Sequence, residues 1–493
     1  MSNTNDTQLP LNQLRKIRID KIKKINDLGF SAYPQPSIKR QYISDVLRLE
    51  FEKPCSVVGR VIAKRGHGKL MFLDIKDFTG KIQLVVKSDV VNKESLQICE
   101  LLDIGDFVYV NGVTYNTNSG QFSILINTLT LLSKSIRPLP NKWGGFTDKE
   151  EKYRQRYADM ILDEKTFNTM VERSKIVQLF RTFFLNNGFY EVNTPTLQEI
   201  YGGASARPFT TYHNALNANF FLRISPELFL KRLIVGGFER VFEFTINFRN
   251  EGLSRWHNPE FQNIEFYWAY STYEELMDLT EEMFRFVVKQ VKGSYVLTYG
   301  DSQINFEPKF ERLTFKDALI KYTGIDFETI KDEDSLRTII KEKNLLNGDD
   351  IKTKGFSNLL DILYKRTTRP HLRGPLFLTD YPAQMIALAK KKENDPTKIA
   401  TFQLVILGEE FVKAYNELND PIDQKMRWEE TERTALAGQD EAERMDEDYV
   451  RALEYGMPPT AGLGVGIDRL VMLLTNQASI RDVLLFPQMR PEK

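Results

Sequence analysis

The stretch FRNEGLSRWHNPEF (residues 248–261) and the distant run GLGVGIDR (residues 462–469) decide the fold of this chain. Arg249 in the first run and Arg469 in the second lie in polar or glycine-rich surroundings. Neither run has the spacing of a phosphate-binding loop or of a dinucleotide-binding fingerprint, which both follow a strand of a parallel sheet. Taken together, the two runs predict one nucleotide triphosphate site that lies on an antiparallel sheet.

The residues around the first run predict a hairpin, formed by residues 240–251 and 259–271, in which alternate side chains lie on opposite faces. The first strand alternates between apolar and polar residues: Phe242, Phe244, Ile246 and Phe248 against Glu243, Thr245, Asn247, Arg249 and Glu251. One face of the return strand carries Phe261, Asn263, Glu265 and Tyr267. We interpret the polar face as the floor of a ligand site rather than as a surface that faces water.

The side chains of the two runs suit the parts of a nucleotide triphosphate. Arg249 can fork onto the α-phosphate, where charge builds during attack at phosphorus. Arg469, near the start of a helix predicted from Ile467, suits the outer phosphates. The glycines before it allow close backbone approach: Gly462, Gly464 and Gly466. Around the nucleotide we expect Phe261 to stack on adenine, and the base edge or the phosphates to be met by Glu251, His257 and Asn258.

Composition excludes several classes of protein. The 493 residues include 67 basic and 67 acidic side chains, so nucleic acid would have to be bound by local basic patches. Residues 14–26 and 64–69 are two such patches, and a solvated charged face explains each of them equally well. Cys55 and Cys99 are too few for a disulfide framework or a zinc cluster. No stretch approaches the roughly 18 apolar residues of a membrane span, and the start lacks the apolar core of a signal peptide, so a soluble cytoplasmic protein is expected.

Residues 51–137 predict a small β-barrel. Five strands separated by turn signals are visible, with one helical stretch, NKESLQICELLD, among them: SVVGRVIAKR, KLMFLDIKD, GKIQLVVK, DFVYVNGVTYN and GQFSILINTLTLL. Five strands and a helix are typical of an OB-fold, whose open face often binds single-stranded nucleic acid. Phe72 and Gln83 would offer a stacking ring and an amide for a base edge, although a core Phe and a surface Gln would look the same.

Further boundaries follow from composition. Residues 1–50 form a basic helical extension, and residues 138–165, with Pro138, Pro140 and the pair Gly144–Gly145, are interpreted as a linker. Residues 166–493 form the second domain, with a helical insertion over about 310–370. It opens with a helix whose predicted apolar face holds Phe167, Met170, Ser174, Val177, Phe180 and Phe184. Residues 186–188 (Asn-Asn-Gly) stop that helix, and a strand ends at Thr194-Pro195, an arrangement that suits a dimer element or a buried core helix.

These motifs resemble those of the class II aminoacyl-tRNA synthetases, in particular the lysine–tRNA ligases, across nearly the whole chain. Residues 188–195 (GFYEVNTP) resemble the end of the first family motif, and the two opening runs resemble the second and the third. Lysine-specific likeness rests on five further runs: RPFTTYHNAL, LRISPELFLKRL, GGFERVFE, KAYNELNDP and EYGMPPTAG. The resemblance implies an α+β fold, with an N-terminal OB-fold β-barrel that binds the anticodon and a catalytic antiparallel sheet flanked by helices.

Lysine as a substrate is also favoured by charge, because an ε-ammonium held away from water needs a carboxylate partner. Glu227, Glu265 and Glu417 are available, although any one of them could be a structural carboxylate. By resemblance, Glu417 and Tyr267 would bind the ε-ammonium, and Glu227 and the backbone of Gly203 the α-amino group. Tyr415 would cover the methylene stem. The predicted lysine-binding set is Gly203, Glu227, Glu265, Tyr267, Lys413, Tyr415 and Glu417.

The resemblance also implies Mg²⁺ with ATP, and here the chain departs from the family. Carboxylates hold the metal at the family positions that match Gln403 and Glu410, so Gln403 is a doubtful ligand and Glu410 is the best one. Lys413 replaces the usual asparagine, and we expect it to pair with the lysine carboxylate or a phosphate. Strand alternation places Glu410 on the face opposite Lys413, so a bulge between them is required if both serve the site.

The remaining expectations concern the nucleotide, the anticodon and the reaction. Arg249 and Arg469 are the expected catalytic residues, and the ATP-binding set is Arg249, Asn250, Glu251, His257, Asn258, Phe261, Glu410, Gly466, Ile467, Asp468 and Arg469. In the barrel, Phe72, Gln83 and Gln121 would contact the anticodon, with Gln121 where relatives often carry glutamate. The resemblance implies a cytoplasmic homodimer that attaches L-lysine to tRNA(Lys) through lysyl-adenylate.

Three alternatives remain open. A ligase that attaches lysine or a related amino acid to a protein would share the catalytic domain but would lack the barrel. An inactive RNA-binding relative would be expected to lose Arg249, Arg469 or Glu410. An aspartyl or asparaginyl ligase would be expected to place cationic or amide groups at the end of the pocket.

Overall fold

The computed structural model describes residues 9–140, 146–346, 351, 354–386, 388–435 and 445–492. Residues 1–8 of the expected N-terminal extension, the linker glycines 144 and 145, and parts of the expected insertion lie outside the described residues. The chain forms two compact units, residues 1–147 and residues 148–493. Within the described part, no helix has the length and apolar character needed to cross a bilayer.

The first unit is a closed five-stranded barrel with strand order β1-β2-β3-β5-β4. Its elements are α1 (Leu11–Asp27), α2 (Ile43–Val46), β1 (Pro54–His67), β2 (Leu70–Lys76), β3 (Lys81–Lys87), α3 (Lys93–Leu101), β4 (Phe107–Asn116) and β5 (Phe122–Ser133). Alternate residues of β2 and β4 are buried, as expected for strands with one face toward a barrel core. The OB-fold and its single helix between the third and fourth strands are therefore confirmed.

Part of the basic charge near the N-terminus has a structural role. Lys21 Nζ on α1 lies 2.5 Å from Asp103 Oδ1, and Arg18 donates to the Ile104 carbonyl at 3.1 Å. In the second patch, Lys64 Nζ donates to the carbonyls of Cys99 and Glu100 at the end of α3. A cation at a helix C-terminus is stabilising, so these residues hold the unit together rather than forming an open basic surface.

The second unit is built on an eight-stranded sheet with the order β14-β15-β16-β17-β18-β11-β10-β6, antiparallel except at the pairs β14/β15 and β10/β6. Its strands are β6 (Tyr190–Glu191), β7 (Leu197–Gln198), β8 (Thr210–His213), β9 (Ala218–Leu222), β10 (Arg240–Phe248), β11 (Glu260–Ala269), β12 (Val296–Tyr299), β13 (Ser302–Asn305), β14 (Glu311–Thr314), β15 (Leu376–Thr379), β16 (Thr401–Ile406), β17 (Glu409–Asn416) and β18 (Thr460–Gly466).

Helices surround this sheet. They are α4 (Lys149–Arg154), α5 (Arg156–Leu162), α6 (Glu164–Asn186), α7 (Glu227–Val235), α8 (Tyr273–Lys292), α9 (Phe315–Thr323), α10 (Glu333–Glu342), α11 (Phe356–Leu363), α12 (Pro421–Ala435), α13 (Glu447–Glu454), α14 (Ile467–Thr475) and α15 (Ile480–Val483). Side chains of α6, α8 and α14 form one buried apolar cluster with β11 and β18. The predicted antiparallel sheet flanked by helices is therefore confirmed.

Two regions differ from their expected boundaries. Residues 149–162, expected within the linker, form α4 and α5, and Arg156 is fully buried, with Nη1 at 3.0 Å from Asp159 Oδ2. The sequence alone favours an exposed linker position for Arg156, because arginine is seldom buried unless it is paired. The range 310–370 contains the expected helices, but it also contains β14, which is an edge strand of the main sheet.

The helix–strand–proline element forms largely as the sequence predicts. Met170, Phe180 and Phe184 of α6 are buried, and Gly188 follows the helix with a φ of 75°. Ile176 and Phe183 are buried on α6 as well, whereas Val177 is half-buried and Ser174 is exposed. The apolar stripe is thus rotated slightly from the predicted one.

The polar face of β10 has a different role from the expected one. Glu243, Thr245 and Asn247 are almost completely buried, and none of them lines the cleft described below. Glu243 accepts hydrogen bonds from Arg223 Nη1 at 2.5 Å and from Thr194 Oγ1 at 2.7 Å. This face binds neighbouring segments of the chain, and the ligand floor lies on β11, β17 and β18.

The predicted bulge is present in β17. Val412 pairs with Leu404 and Glu410 pairs with Val405, so Phe411 has no partner on β16. One unpaired residue reverses the alternation of side chains along a strand. Glu410 and Lys413 therefore lie on the same face of the sheet.

Candidate active site

A cleft of about 830 Å³ lies over the centre of the eight-stranded sheet and contains Arg249 and Arg469 together. Most residues predicted for the site line it: Gly203, Glu227, Glu251, His257, Asn258, Phe261, Glu265, Tyr267, Gln403, Glu410, Lys413, Tyr415, Glu417, Gly466 and Asp468. Asn250 and Ile467 do not line it. Residues from both ends of the unit are thus brought to one site.

Two predicted nucleotide residues face elsewhere because a contiguous motif does not present every side chain to one site. Ile467 is the first residue of α14 and is fully buried in the apolar core. Asn250 is exposed, and its backbone N–H donates to the Arg207 carbonyl at 2.8 Å. Asp468 reaches the cleft wall, but its carboxylate is engaged by Arg173 Nη1 at 2.6 Å and by the N–H of Gln262 at 2.9 Å.

Glycines of β18 make the floor of the cleft into a trough. In the sheet register Gly462 lies between Tyr415 and Tyr267, and Gly464 lies between Lys413 and Glu265. Because glycine has no side chain, the flanking strands form two walls with open space between them. A Cβ atom at Gly462 would collide with Glu417 Oε1 and the Tyr267 ring, so the chain there requires glycine.

Arg249 is half-buried, and its buried Nε has no hydrogen-bond partner among the described residues. Its guanidinium lies over the ring of Phe261, 5.0 Å from the centroid. One face of Phe261, which the sequence predicts to stack on adenine, is thus already in contact with this arginine. Burial lowers the pKa of Arg249, and Glu251 and Glu265 oppose that effect, so the side chain remains a cation.

Arg469 and His257 form a pair at the same end of the cleft. Arg469 Nη2 lies 3.1 Å from His257 Nε2, and its Nη1 donates to the Glu410 carbonyl at 3.1 Å. His257 Nδ1 lies 2.8 Å from Ser254 Oγ. Burial lowers the pKa of His257, and the positive charge of Arg469 adds to the effect. The imidazole is therefore neutral near pH 7 and acts as a hydrogen-bonding group rather than as a charge.

The opposite end of the cleft contains a buried ion cluster. Lys231 is fully buried, and its Nζ contacts Glu227 Oε1 at 2.5 Å and also Glu417 Oε2. The Tyr415 hydroxyl donates to Glu227 Oε1 at 2.7 Å. Sequence reasoning missed Lys231, although its position four residues after Glu227 on a helix was a usable signal.

Glu265 lies on β11 between these two ends. Its carboxylate accepts a hydrogen bond from Ser225 Oγ at 3.2 Å. Burial and the nearby charge of Glu227 raise the pKa of Glu265 to about 8, while Arg249 acts in the opposite direction. An empty pocket therefore keeps a proton on Glu265 at neutral pH, and a bound cation would remove it.

Donors for a hard metal ion are few. Glu410 is the carboxylate predicted to hold Mg²⁺, and it lines the cleft beside Arg469. Gln403 Oε1 accepts a hydrogen bond from the Tyr381 hydroxyl at 2.6 Å, and Lys413 lies directly opposite Gln403. Within the described ranges no three carboxylate, histidine or cysteine side chains group as a metal site. Glu410 suits a Mg²⁺ ion held mainly by phosphate and water, whereas a second ion at Gln403 does not fit.

Residues from the region expected to be an insertion also reach the cleft. Asp361 on α11 lies in the wall, with an oxygen 2.7 Å from Lys365 Nζ. Arg369 lines the wall as well, and its buried Nε has no hydrogen-bond partner in the part of the chain that the structure describes. Sequence patterns gave no sign of either residue, because charged side chains on short helices usually belong to a solvated face.

In the barrel, the three predicted anticodon residues lie in different settings. Phe72 on β2 is half-buried, and Gln121 is exposed in the turn before β5. Gln83 on β3 is 8% exposed and accepts a hydrogen bond from Ser123 Oγ at 3.0 Å. Gln83 is thus held in one orientation by β5, and Phe72 keeps part of its ring accessible.

An antiparallel sheet with a glycine trough, two arginines at one end and an OB-fold barrel in the same chain define a class II aminoacyl-tRNA synthetase. Residues 148–490 match the class II tRNA synthetase family of the D, K and N type, and residues 55–132 match the OB-fold nucleic acid binding domain.

Relatives that align over nearly the full length of the chain identify the branch of this family to which it belongs. The chain is 44% identical to the lysine–tRNA ligase of Carboxydothermus hydrogenoformans over 486 residues, which cover 98% of this chain and 99% of the relative. It is 42% identical to that of Thermoanaerobacter pseudethanolicus over 500 residues, covering both chains completely. It is 43% identical to that of Clostridium botulinum over 485 residues, 98% of this chain and 96% of the relative. The chain belongs to the lysine–tRNA ligase family.

Proposed function

We infer that this protein attaches L-lysine to tRNA(Lys) in an ATP-dependent reaction that passes through lysyl-adenylate and releases AMP and diphosphate. One observation carries this inference. A single cleft has Arg249 and Arg469 at one end, the carboxylates of Glu227 and Glu417 at the other, and Glu265 between them. The first end suits phosphates, and the second suits the ammonium groups of an amino acid.

Lysine fits the trough in one direction. Its ε-ammonium would lie against Glu417 and the Tyr267 ring, where Glu417 Oε1 is buried and has no hydrogen-bond partner among the described residues. Its stem would run along Tyr415, and its α-amino group would face Glu227 and the backbone of Gly203. Gly203 has a φ of 81°, which glycine adopts readily and other residues rarely do.

We propose that Lys413 binds the carboxylate of the substrate or the α-phosphate. Lys413 lies two residues from Tyr415 along β17, or about 7 Å along a strand. That spacing matches the separation between the ammonium end and the carboxylate end of lysine. The Lys413 side chain makes no hydrogen bond or ion pair with any described residue, so its charge is available to a ligand.

Activation then requires positioning and charge neutralisation rather than a protein nucleophile. The lysine carboxylate attacks the α-phosphorus, and the bond to diphosphate breaks. Arg249 would neutralise the charge that builds on the α-phosphate, and Arg469 would bind the outer phosphates, with Asn258 and neutral His257 as further contacts. When bound, Mg²⁺ would neutralise phosphate charge, and Glu410 would be its protein ligand.

In the second step, the terminal ribose hydroxyl of tRNA takes the lysyl group. We propose that Phe72 stacks on an anticodon base and that Gln83 and Gln121 meet base edges. A homodimeric state and a cytoplasmic location are further proposals that rest on family membership.

The barrel disfavours the alternative of a ligase that modifies proteins, which would lack it. The grouping of Arg249, Arg469 and Glu410 in one cleft disfavours an inactive RNA-binding relative. The three carboxylates of Glu227, Glu265 and Glu417 in the amino-acid part of the cleft disfavour aspartate and asparagine as substrates.

Exchange of labelled pyrophosphate into ATP, measured with each amino acid in turn, tests the assignment. Lysine should support exchange, and tRNA(Lys) should then accept labelled lysine. Exchange that is driven by aspartate or asparagine and not by lysine would reverse the assignment.

A further inference from the structure

We propose that Lys231 is a positioning residue for amino-acid selection. It holds one carboxylate oxygen of Glu227 and one of Glu417, and it leaves the other oxygen of each carboxylate to the substrate. The proposal rests on lysine being the substrate, as inferred above. Lys231 itself does not line the cleft, so it acts through the two carboxylates.

The division of oxygens is visible in the contacts. Lys231 Nζ holds Glu227 Oε1 at 2.5 Å and also holds Glu417 Oε2. The other oxygen of Glu417, Oε1, is the atom that a Cβ at Gly462 would strike, so it faces the trough. One oxygen of Glu417 is therefore fixed by the protein, and the other is presented to the ligand.

Charge counting supports the same role. Glu227, Glu265 and Glu417 carry three negative charges when ionised, and Lys231 supplies one positive charge. Two negative charges remain, which equals the two ammonium groups of lysine. Burial acts to lower the pKa of Lys231, but Glu227 and Glu417 raise it well above its usual value, so this cation persists.

The surroundings hold Lys231 in place. Its Nζ lies 5.9 Å from the Tyr267 ring centroid, 5.7 Å from that of Tyr415 and 5.9 Å from that of Tyr449. Aromatic faces attract a cation and exclude water. Without Lys231, Glu227 and Glu417 would be two carboxylates in contact range of one site, and such a pair shares a proton. The shared proton would remove Glu417 as a partner for the ε-ammonium at neutral pH.

The test compares lysine with 6-hydroxynorleucine, in which a hydroxyl group replaces the ε-ammonium. The readout is the ratio of kcat/KM for the two amino acids in pyrophosphate exchange by the full-length protein. Lys231→Met should lower this ratio at least tenfold at pH 7, mainly through a higher KM for lysine. The ratio should recover as the pH rises and the shared proton is lost.

The double variant Lys231→Met/Glu227→Gln gives the sharper result, because an amide at position 227 cannot share a proton with Glu417. The kcat/KM ratio of the double variant should exceed that of Lys231→Met. It should also exceed that of Glu227→Gln, in which the Lys231 ammonium would contact the Glu417 carboxylate alone. Removing both members of a buried pair is often tolerated, so the double variant remains informative even if Lys231→Met does not fold.

Arg156→Met is the matched control, because it removes another fully buried cation of the same unit. It should lower the melting temperature without changing the ratio. The proposal is overturned if the double variant discriminates no better than Glu227→Gln, or if folded Lys231→Met keeps the wild-type ratio. A wild-type protein that shows no exchange with lysine would contradict the proposed function instead, so the two failures are distinguishable.

Discussion

Lys413 lies directly opposite Gln403 across the β16/β17 pair, and the side-chain oxygen of Gln403 accepts a hydrogen bond from the Tyr381 hydroxyl at 2.6 Å. The Gln403 amide is therefore already hydrogen-bonded within the protein, whereas the Lys413 ammonium faces the cleft. At this point the sheet presents a fixed positive charge to the ligand.

Lys413→Ala should lower kcat/KM for lysine by about tenfold to a hundredfold, since hydrogen bonds to charged groups contribute about 1.5–3 kcal/mol. Pyrophosphate exchange at varied lysine and ATP concentrations measures the effect. Lys309→Ala, which removes an exposed lysine of the same unit, should leave both parameters unchanged. An unchanged KM and kcat in Lys413→Ala would show that the proposed role is wrong.

Gly462→Ala should raise the KM for lysine about tenfold or more, because the added methyl group would displace Glu417 and the Tyr267 ring. Binding of ATP should change far less, since the collision lies at the amino-acid end. Isothermal titration with each ligand separates the two effects. Gly355→Ala, where an added Cβ meets nothing within 4 Å, is the control, and an equal loss of affinity in both variants would contradict the prediction.

Lysine affinity should rise with pH up to about 8, because burial and Glu227 raise the pKa of Glu265 to about 8 and an ammonium binds its ionised form. The rise should approach tenfold per pH unit and then level off.

The stability of the ligand-free protein should change with pH in the opposite direction. Between the ordinary value of 4.5 and about 8, the folded chain keeps a proton that the unfolded chain has lost, so stability falls as pH rises.

Titration calorimetry in buffers of different ionisation enthalpy should detect proton release on lysine binding at pH 7. Glu265→Gln should abolish the component of proton release and of pH dependence that belongs to this carboxyl group. A pH profile identical in the wild type and this variant would assign the dependence to another group.

Phe72→Ala should lower kcat/KM for tRNA about fivefold to a hundredfold, since stacking on an aromatic ring contributes about 1–3 kcal/mol per base. Pyrophosphate exchange without tRNA should be unchanged, because the substitution lies in the other unit. Phe78→Ala, which truncates an exposed ring of the same barrel, is the comparison. Equal losses of aminoacylation in the two variants would argue against an anticodon role for Phe72.

Glu243→Gln should lower the free energy of unfolding of the second unit by about 3–5 kcal/mol, because it leaves the buried Arg223 charge without its partner. Chemical denaturation followed by tryptophan fluorescence measures the loss. Arg451→Ala breaks an exposed pair with Asp448 and should have little effect. A similar small effect in Glu243→Gln would mean that the buried pair does not stabilise the unit.

Prediction of the site from the sequence was most successful where a residue type has a single physical role. The glycines of residues 462–466 and the arginines at 249 and 469 predicted a shared cleft. The opposed faces of Glu410 and Lys413 required a bulge between them if both serve the site, and the structure places it at Phe411. It was less successful where packing decides the outcome. The polar side chains of β10 looked like a ligand floor, but Glu243 is bound by Arg223 and Thr194.

Lys231 illustrates why part of the site was missed. In the sequence it is one of many lysines near glutamates, and such pairs usually lie on a solvated face. Only its complete burial and its contact with two carboxylates of the cleft distinguish it. Asp361 and Arg369 were missed for a related reason, since long-range packing brings their segment to the cleft wall.

The unpaired Phe411 divides β17 into two stretches that can change independently. In the proposed function, residues on its C-terminal side would bind the amino acid, and Glu410 on its N-terminal side would hold the Mg²⁺ that accompanies ATP. The alternation restarts between them. Substitutions that change which amino acid is bound can therefore accumulate on the C-terminal side without shifting the register of the N-terminal side. The bulge thus allows the specificity of this strand to vary separately from its contribution to the reaction.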